Sequence, residues 1–478
     1  MRLNSARRGV LPLAVALLAF VAVDAAQAQV AYTANTIQSL YYREFKKDGR
    51  YYVFNNADNA DRFEQSGETG VAITRLGAGP NGETVVADNE TALELFLFKY
   101  GLSEKVDRPK PPPLNIVWRD GKTRMTIGSN FYLEMSNRIQ VRYTHVFPDE
   151  TIKLPGTENP GDSQGSFRIR RAKFKLEGWF YKPHLQYEVQ LNWPGLSTAN
   201  LAAFLEDANI NWDVTKGKKR FMVKFGQFKV PFGLQELTSS GNLQLVDRAF
   251  ISNQFFRGRD TGVSVWGVLG NDRLEYRLGA FNGAGLTRIN NDNDKFQYNA
   301  RVTLQPNGAV PLGTYSGAHQ SESDLESAAL GKPIFTVSGA FEQNDLRAVN
   351  TDPKLNIKST LWEIDALFKY RGFSATGEYA WGRREPQAGA PSFDQNGWFL
   401  QAGHFLKAQK WEIAARYGEI DLSDLVENDK IKELRAGLNY FYNWHALKVQ
   451  TDFGYIETER PDGNRRDYEL RIQTQFIF

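Results

Sequence analysis

From residue 131 to the end of the chain, apolar and polar side chains alternate at period two in one segment after another. Ala172, Phe174 and Leu176 alternate with Arg171, Lys173 and Lys175, and Leu185, Tyr187 and Val189 alternate with Gln186, Glu188 and Gln190. The last stretch places Tyr468, Leu470, Ile472, Thr474, Phe476 and Phe478 between Glu469, Arg471, Gln473 and Gln475. Period two marks a strand with one apolar face and one polar face. Sixteen such segments are countable between 131 and 478. Each is about ten residues long, the length a tilted strand needs to cross a bilayer.

The polar faces decide which way these strands point. They carry Lys, Arg, Glu and Asp at nearly every second position, and burying those groups in one dry core would cost several kcal/mol each. A closed barrel with lipid outside and water inside avoids that cost and leaves no open edge. Connections support this. Short links at Lys182-Pro183, Gly270-Asn271-Asp272, Arg371-Gly372 and Asn443-Trp444 alternate with longer polar stretches at 148–164, 283–294, 382–395 and 421–430. Aromatics at strand ends, among them Phe180, Tyr181, Trp193, Trp212, Trp381, Trp411, Trp444 and Phe478, fit the girdles of such a barrel. The fold class expected is therefore all-β: a sixteen-stranded antiparallel transmembrane β-barrel over residues 114–478, in a bacterial outer membrane, with lipid and lipopolysaccharide as its surroundings.

The beginning of the chain reads differently. Arg2, Arg7 and Arg8 precede an apolar run from Val10 to Val23 and the small-residue site Ala26-Gln27-Ala28. That pattern is a secretory signal peptide over residues 1–28, and the run is too short for a spanning helix. Residues 29–113 mix short strand-like segments with "ETALELFLFKY" (90–100), read as one amphipathic helix, and end in the Pro-rich "DRPKPPPLN". They are expected to form a small N-terminal periplasmic module on a linker. An exported chain with no cysteine has neither disulfides nor thiol chemistry.

Charge is distributed unevenly. Residues 165–310 hold 20 Lys/Arg against 12 Asp/Glu, whereas residues 311–478 hold 19 against 24. The overall balance is close to neutral, which is no nucleic-acid signature. The sharpest cluster is basic. Arg171, Lys173 and Lys175 form a row on one strand face, with Arg168 and Arg170 just above it where the phase slips. Lys224, Arg273, Arg277, Lys295 and Arg301 occupy polar-face positions of later strands. Cations along a narrow lumen raise the local concentration of anions. Glu177, Glu188, Asp207 and Asp213 lie close in sequence and could instead pair with them.

Residues 231–260 are too long for a hairpin turn and suggest a loop folded into the lumen. This loop carries Thr238, Ser239 and Ser240, then Arg248, Arg257 and Arg259. Other motifs carry little chemistry. Gly77 to Gly82 matches a nucleotide-binding glycine pattern, but Pro80 and Asn81 mark a turn. "NNDNDK" (290–295) lacks the glycine and glutamate of a calcium loop. Asp421, Asp424, Glu427 and Asp429 could hold divalent cations against lipopolysaccharide, though a plain exposed loop is the simpler reading. The five histidines show no metal-binding spacing, and no nucleophile-elbow motif is present. No enzyme and no cofactor are implied.

From about residue 114 to 478 the chain resembles the phosphate-selective porin O and P family. "FRIRRAKFKLEGWFYKPHLQYEVQLNW" (167–193), "VKFGQFKVPFGLQELTSSGNLQLVDRAF" (223–250), "GRDTGVSVWG" (258–267) and "GAFNGAG" (279–285) carry the resemblance. It implies a sixteen-stranded passive channel, usually a homotrimer, narrowed by an inward loop. It also implies a constriction at Ser239, Ser240 and Arg248, with small anions such as phosphate as the solutes. Phosphate-specific members place a lysine just before the serines, where this chain has Glu236, and a carboxylate there is expected to repel phosphate. The anion path expected is Arg170, Arg171, Lys173, Lys175, Lys224, Ser239, Ser240 and Arg248. A general unselective channel, and a structural barrel that binds a periplasmic partner, are the alternatives.

Overall fold

A computed structural model describes residues 41–102 and 114–478, apart from 120, 150–161, 196–203, 288–289, 308–320, 326, 328–330, 348–355, 387–388, 408 and 462. Residues 1–28, expected to be a signal peptide, and most of the Pro-rich stretch lie outside the described residues. The chain divides into two compact units, Met1–Pro111 and Pro112–Phe478.

The first unit is a four-stranded sheet with two helices. Strands β1 (Arg43–Lys47) and β2 (Arg50–Phe54) form a hairpin whose turn residues Asp48 and Gly49 both take positive φ. Helix α1 (Ala57–Ser66) and strand β3 (Ile73–Arg75) lead to β4 (Thr84–Ala87), which runs parallel to β2, giving the sheet order β1-β2-β4-β3. Gly77 to Gly82 is a turn between β3 and β4. Helix α2 (Glu90–Lys99), the helix expected at 90–100, is capped by the Asn89 side chain on the Ala92 N–H. It buries Leu93, Phe96 and Leu97 against Tyr51, Val53 and Val85.

The second unit is a barrel. A hairpin of β5 (Leu114–Arg119) and β6 (Lys122–Ile127) precedes it. The ring consists of β7 (Phe131–Phe147), β8 (Gln164–Phe180), β9 (Leu185–Asn192), β10 (Leu205–Asp213), β11 (Met222–Lys229), β12 (Arg259–Leu269), β13 (Leu274–Phe281) and β14 (Gln297–Leu304). It continues through β15 (Ile334–Leu346), β16 (Ile357–Tyr370), β17 (Phe373–Pro386), β18 (Phe393–Lys407), β19 (Trp411–Asp421), β20 (Ile431–Asn443), β21 (Leu447–Thr458) and β22 (Arg465–Ile477). Each strand pairs antiparallel with the next, and β22 closes on β7 from Tyr468↔Phe147 to Ile477↔Arg138. Sixteen strands, β7 to β22, thus form the closed ring among the described residues. The extra hairpin was not anticipated. Its β6 pairs with the first residues of β7, on the edge that β22 occupies further along.

The alternation points outward and inward as its chemistry requires. Leu278, Ile364, Leu400, Leu434 and Phe453 are exposed on the outside, the face that lipid would cover. Arg142, Lys369, Arg416, Arg435 and Lys448 are buried on the inside. The lumen is nonetheless not uniformly polar. Val230 to Gly258 folds into it and carries the short helices α3 (Leu234–Leu237) and α4 (Phe250–Phe255). Phe232, Ile251, Phe255 and Phe256 of this loop pack against the inward residues Ala340, Leu361, Ala380, Phe399 and Ile420. So β15–β19 do enclose a dry core, built around the loop rather than between strands. Glycines on the wall admit it: a Cβ on Gly403 would lie 2.0 Å from Nε2 of Gln244.

Candidate functional site

The inward loop leaves open a cavity of about 440 Å³, bordered mainly by the loop and the inner faces of β7–β13. Among its lining residues eleven are Lys or Arg and four are Glu or Asp. Arg170, Arg171, Lys173, Lys175, Lys224, Ser239, Ser240 and Arg248 all border it. Arg277 borders it as well. Three other polar-face cations do not. Arg273 is exposed at a turn. Lys295 is exposed in the connection before β14. Arg301 is buried between Glu363 and Asp365, with its Nη1 2.8 Å from the Glu363 carboxylate.

The phase slip in the basic row is a β-bulge. Gln140 pairs with Arg171 and Val141 with Ile169, so Arg170 is the extra residue. The bulge brings Arg170 and Arg171 to the lumen together. A second irregularity, between Leu205 and Asp207 in the pairing of β10 with β9, turns both Glu206 and Asp207 inward. Strict alternation would have sent one of them to lipid, which is why Glu206 escaped notice in the sequence.

Many lining cations have carboxylate partners. Lys173 pairs closely with Glu206. Lys175 lies 2.7 Å from Glu177 and 2.9 Å from Glu188, and Arg259 lies 2.8 Å from Asp207. Of the acids expected to pair, Asp213 makes no ion pair among the described residues. It caps the turn after β10 by accepting from the N–H groups of Thr215, Gly217 and Lys219. Arg170, Arg171 and Arg142 converge on Asp247 of the loop, at 3.4, 3.4 and 2.8 Å. These pairs fix the row and reduce its net charge, but the lining keeps its cationic excess.

Two lining cations make no ion pair with a carboxylate among the described residues: Arg138 and Lys229. Lys229 Nζ donates to the carbonyls of Glu236, Leu237 and Thr238 at 2.6–3.0 Å, fastening the loop's first turn. Arg138 donates to Oγ of Ser240 at 3.2 Å and of Ser239 at 3.1 Å, and its buried Nε has no partner among the described residues. A Cβ on Gly241 would lie 2.7 Å from the Arg138 guanidinium, so glycine is what lets loop and arginine approach. Arg138 sits at a polar-face position of its strand, a signal visible in the sequence; nothing local distinguished it from its neighbours. Arg248 is mainly a loop brace. It donates to the carbonyls of Gln235, Glu236 and Thr238, and its Nε is 3.1 Å from the Glu236 carboxylate. Glu236 is not among the residues lining the cavity. Its carboxylate is paired with Arg248, which offsets the charge expected to repel phosphate before the serines.

The sequence profile described as "Phosphate-selective porin O and P" matches residues 151–478. The chain belongs to this family. It is 21% identical over 412 residues to Porin O of Pseudomonas aeruginosa, covering 74% of this chain and 90% of that one. An uncharacterized protein of Aquifex aeolicus is 19% identical over 356 residues, covering 64% of this chain and 82% of its own. Among solved structures, the outer membrane channel DcaP of Acinetobacter baumannii aligns with a TM-score of 0.51 at 10% identity, covering 73% of this chain and 98% of that one. The anion-selective porin of Comamonas acidovorans aligns with a TM-score of 0.50 at 10% identity, covering 72% and 99%. Family and fold make this a bacterial outer-membrane channel. They are those of channel proteins rather than enzymes.

Proposed function

We propose that the barrel is a passive channel biased toward small anions, phosphate among them. The observation that carries this reading is the lining of the cavity, where eleven cationic side chains outnumber four anionic ones. In a narrow lumen with low-dielectric walls that excess lowers the barrier to anion entry and raises it for cations. Arg138 with Ser239 and Ser240 gathers donors without a carboxylate acceptor, the pattern that binds phosphate or carboxylate oxygens. Membership of a family described as phosphate-selective supports the same reading. Around it, residues 1–28 act as a cleaved export signal and 29–113 as a periplasmic module. The barrel is a homotrimer in contact with outer-membrane lipid and lipopolysaccharide.

A general unselective channel is the second reading, favoured by the pairing of Lys173, Lys175 and Arg259 with lumen acids. The reversal potential of the purified protein in a planar bilayer under a KCl gradient separates the two. Chloride preference, with conductance blocked by added phosphate, is the expected result. Equal permeability or cation preference would leave the general channel.

A further inference from the structure

Except for the one between β14 and β15, the described connections on the short-turn rim are brief; that one runs from residue 305 to 333. Among its described residues, Ser321 to Leu325 are buried inside the barrel. The segment enters from the rim opposite the one that sends in the serine-bearing loop. Leu325 is wholly buried with Phe405 and Phe441. The Asp324 carboxylate accepts from the Gly372 N–H at 2.7 Å, and the Lys369 ammonium donates to the Ser321 carbonyl. These ties root the segment in the turns of its own rim.

Its tip is Glu322. One carboxylate oxygen accepts from Nε2 of Gln235 at 2.9 Å. The other accepts from the backbone N–H of Gln244 at 2.7 Å and from Nε2 of Gln401 at 3.0 Å. The Glu322 N–H donates to the Asn242 carbonyl at 3.0 Å. Gln235, Asn242 and Gln244 bracket Ser239 and Ser240 in the loop. A single buried carboxylate therefore clasps the loop on both sides of the two serines and ties it through Gln401 to the wall. Charge-assisted N–H bonds of this kind are strong and directional, and the group is 4% exposed, so water competes little for them.

We propose that Glu322 is a positioning residue for the anion path: it sets where Ser239 and Ser240 stand opposite Arg138, and with them the bore of the channel. The proposal rests on the anion-channel reading for its solute, but its effect on bore is independent of selectivity.

The test uses the full chain, purified and reconstituted in planar bilayers, with chloride as carrier and inorganic phosphate as blocker. In Glu322→Ala the barrel is expected to keep its heat-modifiable migration on gels. Its open-channel current is expected to fluctuate between levels absent from the unsubstituted protein. The half-blocking phosphate concentration should rise about tenfold, the equivalent of one good hydrogen bond. Glu322→Gln keeps the shape and one acceptor oxygen, and should give a smaller rise; it decides the matter if the alanine variant fails to assemble. If neither protein is blocked by phosphate, the anion reading fails, and the current levels alone judge Glu322. A folded variant with unaltered current levels, and with unaltered block where block is measurable, overturns the proposal. So does a variant whose only change is lower barrel stability.

Discussion

The two halves of the barrel wall use similar inward-facing residues for different ends. Residues 165–310 carry an excess of cations, and the inner faces of β8–β13 within them border open space. Residues 311–478 carry an excess of acids, and their inner faces are largely covered by the inward loop and by Ser321 to Leu325. Arg416 shows the contrast with Lys224. Arg416 is buried against Glu433 at 3.1 Å, and it also donates to the carbonyls of Asp247 and Arg248. Lys224 lies on the cavity, 3.8 Å from Glu188. Both are inward cations on strands of one ring. What packs against them decides whether each is a structural clamp or part of a path for solutes.

That difference can be broken by substitution. The largest effect is expected on the covered wall. Arg416→Ala leaves Glu433 with less of its cationic shell and two loop carbonyls without their donor. It should cost about 3–5 kcal/mol, the range for breaking a buried ion pair, seen as a lower temperature for loss of the compact form on gels. Lys224→Ala on the open wall should lower that temperature less, because its pair with Glu188 is long at 3.8 Å and Glu188 keeps Lys175 as a partner. Equal losses in the two variants would erase the distinction between the walls.

Arg138→Ala comes next. It removes the lining guanidinium that faces the serines, so the half-blocking concentration of phosphate should rise about tenfold, with little change in barrel stability. Unchanged block in this variant would move the solute site elsewhere along the lumen.

The smallest effect lies off the barrel and serves as a control. Lys46 and the Asn81 N–H hold the Glu83 carboxyl down at about 2. A depressed carboxyl contributes stability that is fully present above its ordinary pKa and is lost progressively as pH falls from there to the folded value. Carboxyl NMR of Glu83 should therefore show it ionised at pH 4, and acidification to that point should leave this corner of the first unit unchanged. Titration near its ordinary pKa of 4.5 would show that the ion pair does not persist.

How far the sequence could be read follows from the range of the forces involved. The sixteen strands were legible because alternation is a local consequence of the pleat, repeated until closure was the only way to satisfy both faces. The bulge at Arg170 was legible as a slip in phase, and the length of 231–260 pointed to a loop that could enter the lumen. Glu206 was hidden, because an irregularity in pairing with β9 moved it to a face its position did not announce. The segment "SESDL" at 321–325 was hidden because its polar letters have no period and read as any exposed turn. Glu236 stood at the expected place, yet only the position of Arg248 shows where its charge is spent.

The sequence by itself determined the ring: strand count, the faces toward lipid and lumen, and the crowding of cations on strands before residue 310. The tertiary structure alone decided which of those cations border open space. Whether a charge inside a barrel meets solvent or a buried partner depends on loops that return from either rim. Those loops are placed by contacts between residues a hundred or more positions apart, such as Arg138 with Ser239, and no local pattern encodes them.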